Sequence, residues 1–233
     1  MNLADHLLGP AAIARRRTGI AFTCGDESVT YFELAAGVAR AAAAFAALGI
    51  TPGDRVLLLL RDTPEYVAAW LGAVRAGAVA IGLNTKLSEQ EYRYICADSA
   101  ARVSVVEDVF VRARPDLAAE FARLGVLAVA GGGAPQGAAS WRELLSRATP
   151  DAPAYEARPE DPAFWLYSSG TTGKPKGIVH SHKDALPAGQ VFAETLALAP
   201  GEKIFVTYHL GVPLGVEASI LDPQVHRKKR TKR

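Results

Sequence analysis

Residues 165–182 read Trp-Leu-Tyr-Ser-Ser-Gly-Thr-Thr-Gly-Lys-Pro-Lys-Gly-Ile-Val-His-Ser-His, and the ten at the centre, 168–177, are the most informative in the chain. They contain two serines, two threonines, three glycines and two lysines. Glycine allows a backbone to approach a ligand closely, and such a turn can point successive N–H groups at an anion. Hydroxyl and ammonium groups add hydrogen-bond donors and positive charge. The segment therefore predicts a loop that binds a polyphosphate, and the apolar residues on either side predict that it joins two strands.

Two other interpretations of these residues are less consistent with the sequence. A Gly/Ser/Thr-rich segment is also typical of a flexible surface linker, but two lysines around a proline between apolar strands argue against that. A Walker A loop is excluded by spacing, because that motif needs four residues between its glycines and a Ser or Thr after its lysine. Here only two threonines separate Gly170 from Gly173, and Pro175 follows Lys174.

Residues 167–177, Tyr-Ser-Ser-Gly-Thr-Thr-Gly-Lys-Pro-Lys-Gly, resemble the signature phosphate loop of the adenylate-forming superfamily, which comprises acyl- and aryl-CoA ligases, luciferases and adenylation domains. Two weaker similarities precede the loop in the family's order, at residues 29–34 (Val-Thr-Tyr-Phe-Glu-Leu) and 71–80 (Leu-Gly-Ala-Val-Arg-Ala-Gly-Ala-Val-Ala). The resemblance extends from about residue 5 to about residue 207. The sequences flanking the loop, Phe-Trp-Leu-Tyr and Val-His-Ser-His, are most similar to benzoate-type aryl-CoA ligases.

The resemblance implies a two-step reaction. A carboxylate attacks the α-phosphate of ATP, pyrophosphate leaves, and coenzyme A then displaces AMP from the acyl-adenylate. ATP and Mg²⁺ are the implied cofactors, CoA is the co-substrate of the intact family enzyme, and a small, aromatic carboxylic acid is the implied substrate. The family pattern favours Lys176 over Lys174 as the phosphate ligand. No catalytic residue or metal ligand is assigned, and the residues expected to bind the nucleotide are Ser168, Ser169, Gly170, Thr171, Thr172, Gly173, Lys174, Pro175, Lys176 and Gly177.

Composition excludes several classes of protein. With 233 residues, of which 49% are hydrophobic, the chain is long enough for a large core and is not generally disordered. Cys24 and Cys96 are too few and too far apart for a disulfide framework or a metal site. No uninterrupted apolar run approaches the ~20 residues that span a bilayer, and the first residues lack the pattern of a secretory signal. A cytoplasmic protein without membrane contact is therefore expected.

The net charge of +2 hides an asymmetry. Removing six positive charges from the last seven residues turns +2 into −4, so the body of the chain is mildly acidic. A basic run of this kind can contact nucleic-acid phosphates, but no aromatic residue accompanies it. A solvated tail is the favoured interpretation, and nucleic-acid binding is not expected. The six residues are Arg227, Lys228, Lys229, Arg230, Lys232 and Arg233.

Alternating apolar runs and amphipathic stretches predict an α/β fold, with a mainly parallel sheet, flanking helices and the start of a second α/β subdomain. The predicted parts are a first subdomain at 1–147, a connector at 148–162, the start of the second subdomain with the loop at 163–210, and an irregular basic tail at 211–233. Helix starts are predicted by the capping patterns Thr30 with Glu33, Thr63 before Pro64, Ser88 with Glu91, and Ser140 with Glu143.

Individual strands and helices also follow from the pattern. Apolar runs predict buried strands at residues 56–60, 79–83, 103–106 and 126–130. A helix is predicted at 184–198 despite Pro187, and a further strand at 203–207.

The end of the chain departs from the family. Residues 211–233 do not resemble the adenine-binding segment, the ribose-binding Asp, the hinge or the small C-terminal domain with its lysine that follow in family members. This predicts a truncated or frame-shifted AMP-forming acyl- or aryl-CoA ligase that is inactive on its own. The alternative hypothesis is a non-catalytic module that binds ATP or pyrophosphate, or that pairs with a separate chain supplying the missing half.

His180 and His182 follow the loop on either side of Ser181. One interpretation places one of these histidines near the substrate or the phosphates. The favoured interpretation is a structural pair with one buried and one exposed ring, because this spacing alone supplies no metal partners.

Overall fold

The computed structural model describes residues 1–16, 18–151, 153–168 and 174–197. Its strands are β1 Ile20–Cys24, β2 Glu27–Thr30, β3 Arg55–Leu59, β4 Val79–Gly82, β5 Val103–Glu107, β6 Val126–Ala130, β7 Ala139–Ser140, β8 Pro162–Ser168 and β9 Lys176–Ser181. Its helices are α1 Leu3–Leu8, α2 Pro10–Arg16, α3 Tyr31–Ala47, α4 Pro64–Arg75, α5 Glu89–Ser99, α6 Asp108–Ala113, α7 Pro115–Leu124, α8 Trp141–Arg147 and α9 His182–Thr195. The predicted strand at 203–207 and the tail at 211–233 lie outside the described residues.

Seven strands form one mixed sheet in the order β7-β6-β5-β3-β4-β8-β9. Every neighbouring pair is parallel except β8 with β9, which is antiparallel. The strands β1 and β2 form a separate antiparallel hairpin. A mainly parallel sheet with flanking helices was the predicted fold class, and the structure confirms it.

Both faces of the sheet are covered, as parallel strands require. In β3, Val56 and Leu58 are buried in one hydrophobic cluster, whereas Leu57 and Leu59 are buried in the other. The first cluster lies under α1, α3, α4 and α8, and the second lies under α5 and α7. The continuous apolar runs of the sequence are thus explained by burial on both sides.

Helix starts follow the capping residues. Thr30 and Ser88 each form a capping box with the glutamate three residues later, at the starts of α3 and α5. Thr63 caps α4, with Pro64 at its first position. At the start of α8 the structure records one of the two hydrogen bonds of the predicted capping box. The backbone N–H of Glu143 donates to Ser140 Oγ at 3.3 Å. These caps satisfy backbone N–H groups of the first helical turn, which fixes where each helix begins.

The connector does not separate two sheets. β8 pairs in parallel with β4, with Phe164 beside Ala80 and Trp165 beside Ile81. The strands on either side of residues 148–162 therefore belong to one sheet, while the proposed subdomain boundaries themselves stay a prediction. Among the described residues, no helix combines the length and the apolar composition needed to cross a membrane.

Helices α3 and α4 cross at Gly72. A Cβ atom at Gly72 would lie 2.4 Å from Ala41 Cβ and 3.1 Å from the backbone nitrogen of Ala42. Such distances leave no room for a methyl group unless the two helices separate.

We expect Gly72→Ala to lower the free energy of unfolding by about 2 kcal/mol. Overpacking costs up to about 3 kcal/mol, and alanine regains about 1 kcal/mol in helix propensity. Urea unfolding measures the change. Gly133→Ala is the control, because a Cβ there meets no atom within 4 Å. Equal stabilities of the two variants would contradict the close packing of α3 on α4.

Candidate functional site

The predicted phosphate loop joins two paired strands. β8 and β9 form an antiparallel hairpin in which Ser168 pairs with Lys176 and Tyr167 pairs with Gly177. The prediction that the segment joins two strands is therefore confirmed, although the strands extend into it: Ser168 is the last residue of β8, and Lys176 and Gly177 are the first two of β9. Residues 169–173, which contain five of the ten predicted ligands, lie outside the described residues. The described members of the predicted set are Ser168, Lys174, Pro175, Lys176 and Gly177.

The hairpin places the loop at the edge of the sheet where the parallel strands end. Because β8 runs parallel to β4 and β3, its last residue, Ser168, lies at the same edge as their carboxyl ends. Open α/β sheets bind their ligands at that edge. At the ends of β3 and β5, Arg61 forms an ion pair with Glu107 and also donates its backbone N–H to the same carboxylate at 2.9 Å.

The two lysines of the loop have different surroundings. The ammonium group of Lys174 lies 5.6 Å from the centre of the Tyr94 ring on α5. Lys176 is exposed, and within the described part of the chain no ion pair or hydrogen bond of its ammonium group is recorded. Lys176 pairs with Ser168 across the hairpin. A lysine ammonium group and a serine hydroxyl both supply hydrogen-bond donors, which fits a phosphate group.

Tyr167 ties the first strand of the hairpin to α5. Its hydroxyl donates a hydrogen bond of 2.7 Å to Asp98 Oδ2. Burial and this hydrogen bond to a carboxylate raise the pKa of Tyr167 above its ordinary value. Gly177 lies opposite, where a Cβ would come 3.2 Å from the tyrosine ring, so glycine leaves room for the aromatic side chain.

Asp98 and Tyr94 were not predicted as site residues. They lie four residues apart on α5, so both are on one face of that helix. That spacing is visible in the sequence, but nothing in the sequence shows that the face meets the loop.

The two histidines after the loop have structural contacts. His180 stacks on Phe164, with ring centres 4.7 Å apart and an angle of 4° between the planes. His182 is 1% exposed, and its Nδ1 accepts a hydrogen bond of 3.0 Å from the backbone N–H of Leu3. These contacts favour the structural interpretation of the pair over a role in binding substrate.

The contact of His182 makes stability depend on pH. Burial, followed by the nearby N-terminal ammonium group, lowers the pKa of His182, while Asp161 opposes the shift. The unfolded chain, with a histidine pKa of about 6.5, therefore binds the proton more readily than the folded chain. The stabilisation is present above pH ~6.5 and is lost as the pH falls below that value towards the lowered pKa.

We expect His182→Gln to flatten the fall in the free energy of unfolding between about pH 7 and 5, because the amide oxygen can accept the Leu3 hydrogen bond without titrating. Urea unfolding at several pH values measures this slope. His6→Gln changes an exposed histidine and serves as the control. If His182→Gln retained the full pH dependence of the parent protein, the buried acceptor would not be its source.

The comparisons with known proteins agree with this geometry. The family model described as "AMP-binding enzyme" matches residues 10–225. The chain is 43% identical over 208 residues to the 3-hydroxybenzoate–CoA ligase of Aromatoleum sp. (strain CIB), a match that covers 89% of this chain and 39% of the relative.

Two solved structures show the same fold. The anthranilate CoA ligase AuaEII in complex with anthranoyl-AMP has a TM-score of 0.85 at 29% identity, covering 96% of this chain and 43% of that one. ATP-bound MatB from Rhodopseudomonas palustris has a TM-score of 0.79 at 26% identity, covering 93% and 42%.

The chain spans about 40% of the length of the relatives it matches. The matched portion is the N-terminal part of the adenylate-forming fold, with its mainly parallel sheet and flanking helices. The resemblance to benzoate-type CoA ligases that the loop indicated is thus confirmed. The chain belongs to the family of AMP-binding enzymes.

Proposed function

We propose that this chain is the N-terminal part of an AMP-forming aryl-CoA ligase and that residues 168–177 hold the β- and γ-phosphates of ATP. The observation that carries the proposal is the β8–β9 hairpin, which presents the exposed Lys176 and the opposing Ser168 at the carboxyl edge of the sheet. The family match over residues 10–225 supports the same assignment.

The loop residues act by stabilising negative charge. In the family reaction a carboxylate oxygen bonds to the α-phosphorus of ATP while the bond to the bridging oxygen breaks, and pyrophosphate leaves with the additional charge. Preorganised donors lower the energy of that charge without reorganising during the reaction. Lys176 supplies the cation, and the hydroxyl of Ser168 and the N–H groups of the loop supply hydrogen bonds.

Mg²⁺ enters this proposal with the nucleotide. Among residues 1–16, 18–151, 153–168 and 174–197, no three His, Cys, Asp or Glu side chains are grouped so as to hold a metal ion. Mg²⁺ in ATP sites is bound largely through phosphate oxygens and water, so such a group is not required. CoA is proposed as the thiol acceptor of the complete enzyme.

The proposed substrate is an aromatic carboxylic acid. Support comes from the relatives, one named for 3-hydroxybenzoate and another solved with anthranoyl-AMP. The test is ATP–pyrophosphate exchange by a longer protein in which the chain continues in a reading frame that encodes the rest of the fold. Exchange that depends on benzoates supports the proposal, whereas exchange with fatty acids and none with benzoates contradicts it.

The phosphate assignment is tested by nucleotide competition on the 233-residue chain. Equilibrium dialysis with MgATP is expected to show binding that magnesium pyrophosphate displaces and AMP does not, because AMP lacks the β- and γ-phosphates. Displacement by AMP alone would place the nucleoside, not the phosphates, at the binding site. An absence of MgATP binding would contradict both this proposal and the alternative of a non-catalytic nucleotide-binding module.

A further inference from the structure

Both ends of the phosphate loop contact the same face of α5. On the β8 side, Tyr167 immediately precedes the loop and donates its hydroxyl hydrogen bond to Asp98. On the β9 side, the ammonium group of Lys174 lies over the Tyr94 ring. The two contacts are joined, because the Tyr94 hydroxyl lies 3.5 Å from the other oxygen of the Asp98 carboxylate.

Helix α5 is a rigid support for these contacts. It starts at the Ser88–Glu91 capping box, and Tyr92, Ile95 and Cys96 bury its opposite face in the second hydrophobic cluster. The hydroxyl of Tyr92 also donates to the backbone oxygen of Asn84, which follows β4, at 2.8 Å. Residues that contact α5 are therefore held in position relative to the sheet.

We propose that Tyr94 and Asp98 form an anchor that positions the phosphate loop, and that Lys174 belongs to this anchor while Lys176 serves the phosphates. That the anchor serves phosphate binding rests on the function proposed above. That it restrains the loop does not depend on that function. Asp98 is a positioning residue, since it acts through Tyr167 and does not itself meet the nucleotide.

The chemistry of the contacts supports this division of roles. A phenol donating to a carboxylate is a charge-assisted hydrogen bond, which is stronger than a neutral one. A lysine over a tyrosine ring gains a cation–π interaction. Lys174 is thereby held against α5, whereas Lys176 has no such restraint among the described residues. Holding the two ends of a loop restricts the conformations that it must lose when a ligand binds.

Trypsin cleavage after Lys176 measures the restraint directly in the full 233-residue chain. Trypsin does not cut before proline, so Lys174 is protected by Pro175 and Lys176 reports on opening of the hairpin. We expect Asp98→Asn, Tyr167→Phe and Lys174→Ala each to accelerate this cleavage about five- to tenfold, since cleavage follows the population of the opened segment. Lys174→Arg is expected to restore the parent rate, because a guanidinium also stacks on an aromatic ring.

Two controls separate a local anchor from general destabilisation. Asp116→Asn changes an exposed carboxylate on α7 for which no side-chain hydrogen bond is recorded in the described residues, and it should leave the rate unchanged. Cleavage after Arg147, in α8, is followed in the same digests. Loss of a local anchor accelerates cleavage after Lys176 and leaves cleavage after Arg147 unchanged. Equal rates in all variants, or equal acceleration at Arg147, would overturn the proposal.

The same variants distinguish failure of the anchor from failure of the proposed function. If both the anchor and the phosphate site exist, Asp98→Asn weakens MgATP binding about threefold. The reason is that a smaller fraction of the molecules has the loop in its binding-competent conformation. Accelerated cleavage of the variants, together with a parent protein that does not bind MgATP, would support the anchor and refute the phosphate site. Unchanged cleavage together with normal MgATP binding would refute the anchor and keep the site.

Discussion

Lys176→Ala is expected to weaken binding of MgATP to the chain about 10- to 100-fold. A charge-assisted hydrogen bond contributes about 1.5–3 kcal/mol, and about 1.4 kcal/mol corresponds to a factor of ten. Lys176 is exposed at the carboxyl edge of the sheet, and no carboxylate pairs with it in the described part of the chain, so its charge is free for a ligand. Equilibrium dialysis with labelled ATP measures the change.

The matched control for this prediction is Lys174→Ala. It removes the same charge two residues away, but Lys174 lies against Tyr94 and is expected to act through the position of the loop. Its loss should weaken MgATP binding about threefold. Equal losses in the two variants would show that the lysines share one role, and a larger loss for Lys174→Ala would reverse the assignment.

Acyl-CoA formation by the 233-residue chain alone is expected to be undetectable. Adenylation requires the α-phosphate and the carboxylate to be held in line, and misplacement by about 1 Å can cost ~10²-fold in rate. The match covers 39% of the 3-hydroxybenzoate–CoA ligase relative, so the larger part of that enzyme lies outside the matched residues.

A fusion tests whether the chain supplies a working loop. The matched N-terminal part of the 3-hydroxybenzoate–CoA ligase is replaced by this chain, and formation of 3-hydroxybenzoyl-CoA is measured with ATP, Mg²⁺ and CoA. Turnover by the fusion, lost in its Lys176→Ala variant, is the expected result. Steady turnover by the 233-residue chain alone, abolished by the same substitution, would show instead that the short chain is an enzyme.

Local features of this fold could be predicted from sequence because neighbouring residues determine them. The Thr30–Glu33 capping box and the loop between two strands depend on residues close together in the chain, and both are present. The buried parallel strands follow from apolar runs that need cover on both faces. The two-residue strand β7 and the helices α6 and α7 were not predicted. For α7 the signal was present but missed, because Pro115 stands at its first position and Leu117, Ala118 and Phe121 form a buried apolar face.

Long-range features could not be predicted from one sequence. In the sheet β8 lies beside β4, although α5 to α8, three strands and the connector separate the two in the chain. That position depends on the packing of the whole sheet. The contact of Tyr167 with Asp98 joins residues 69 positions apart, and the His182 acceptor meets Leu3 across 179 positions. The sequence therefore predicts the chemical groups of the candidate site. The contacts of the loop with Tyr94 and Asp98 on α5 could be identified only from the structure.

The most direct test of the central claim is hydrogen–deuterium exchange of the chain with and without MgATP. If residues 168–177 hold the phosphates, peptides covering them should exchange more slowly at MgATP concentrations at which dialysis shows binding, because their N–H groups become hydrogen-bonded. Peptides covering α7, on the other side of α5, should be unchanged. Bound MgATP that leaves residues 168–177 unprotected and slows exchange elsewhere would contradict the account.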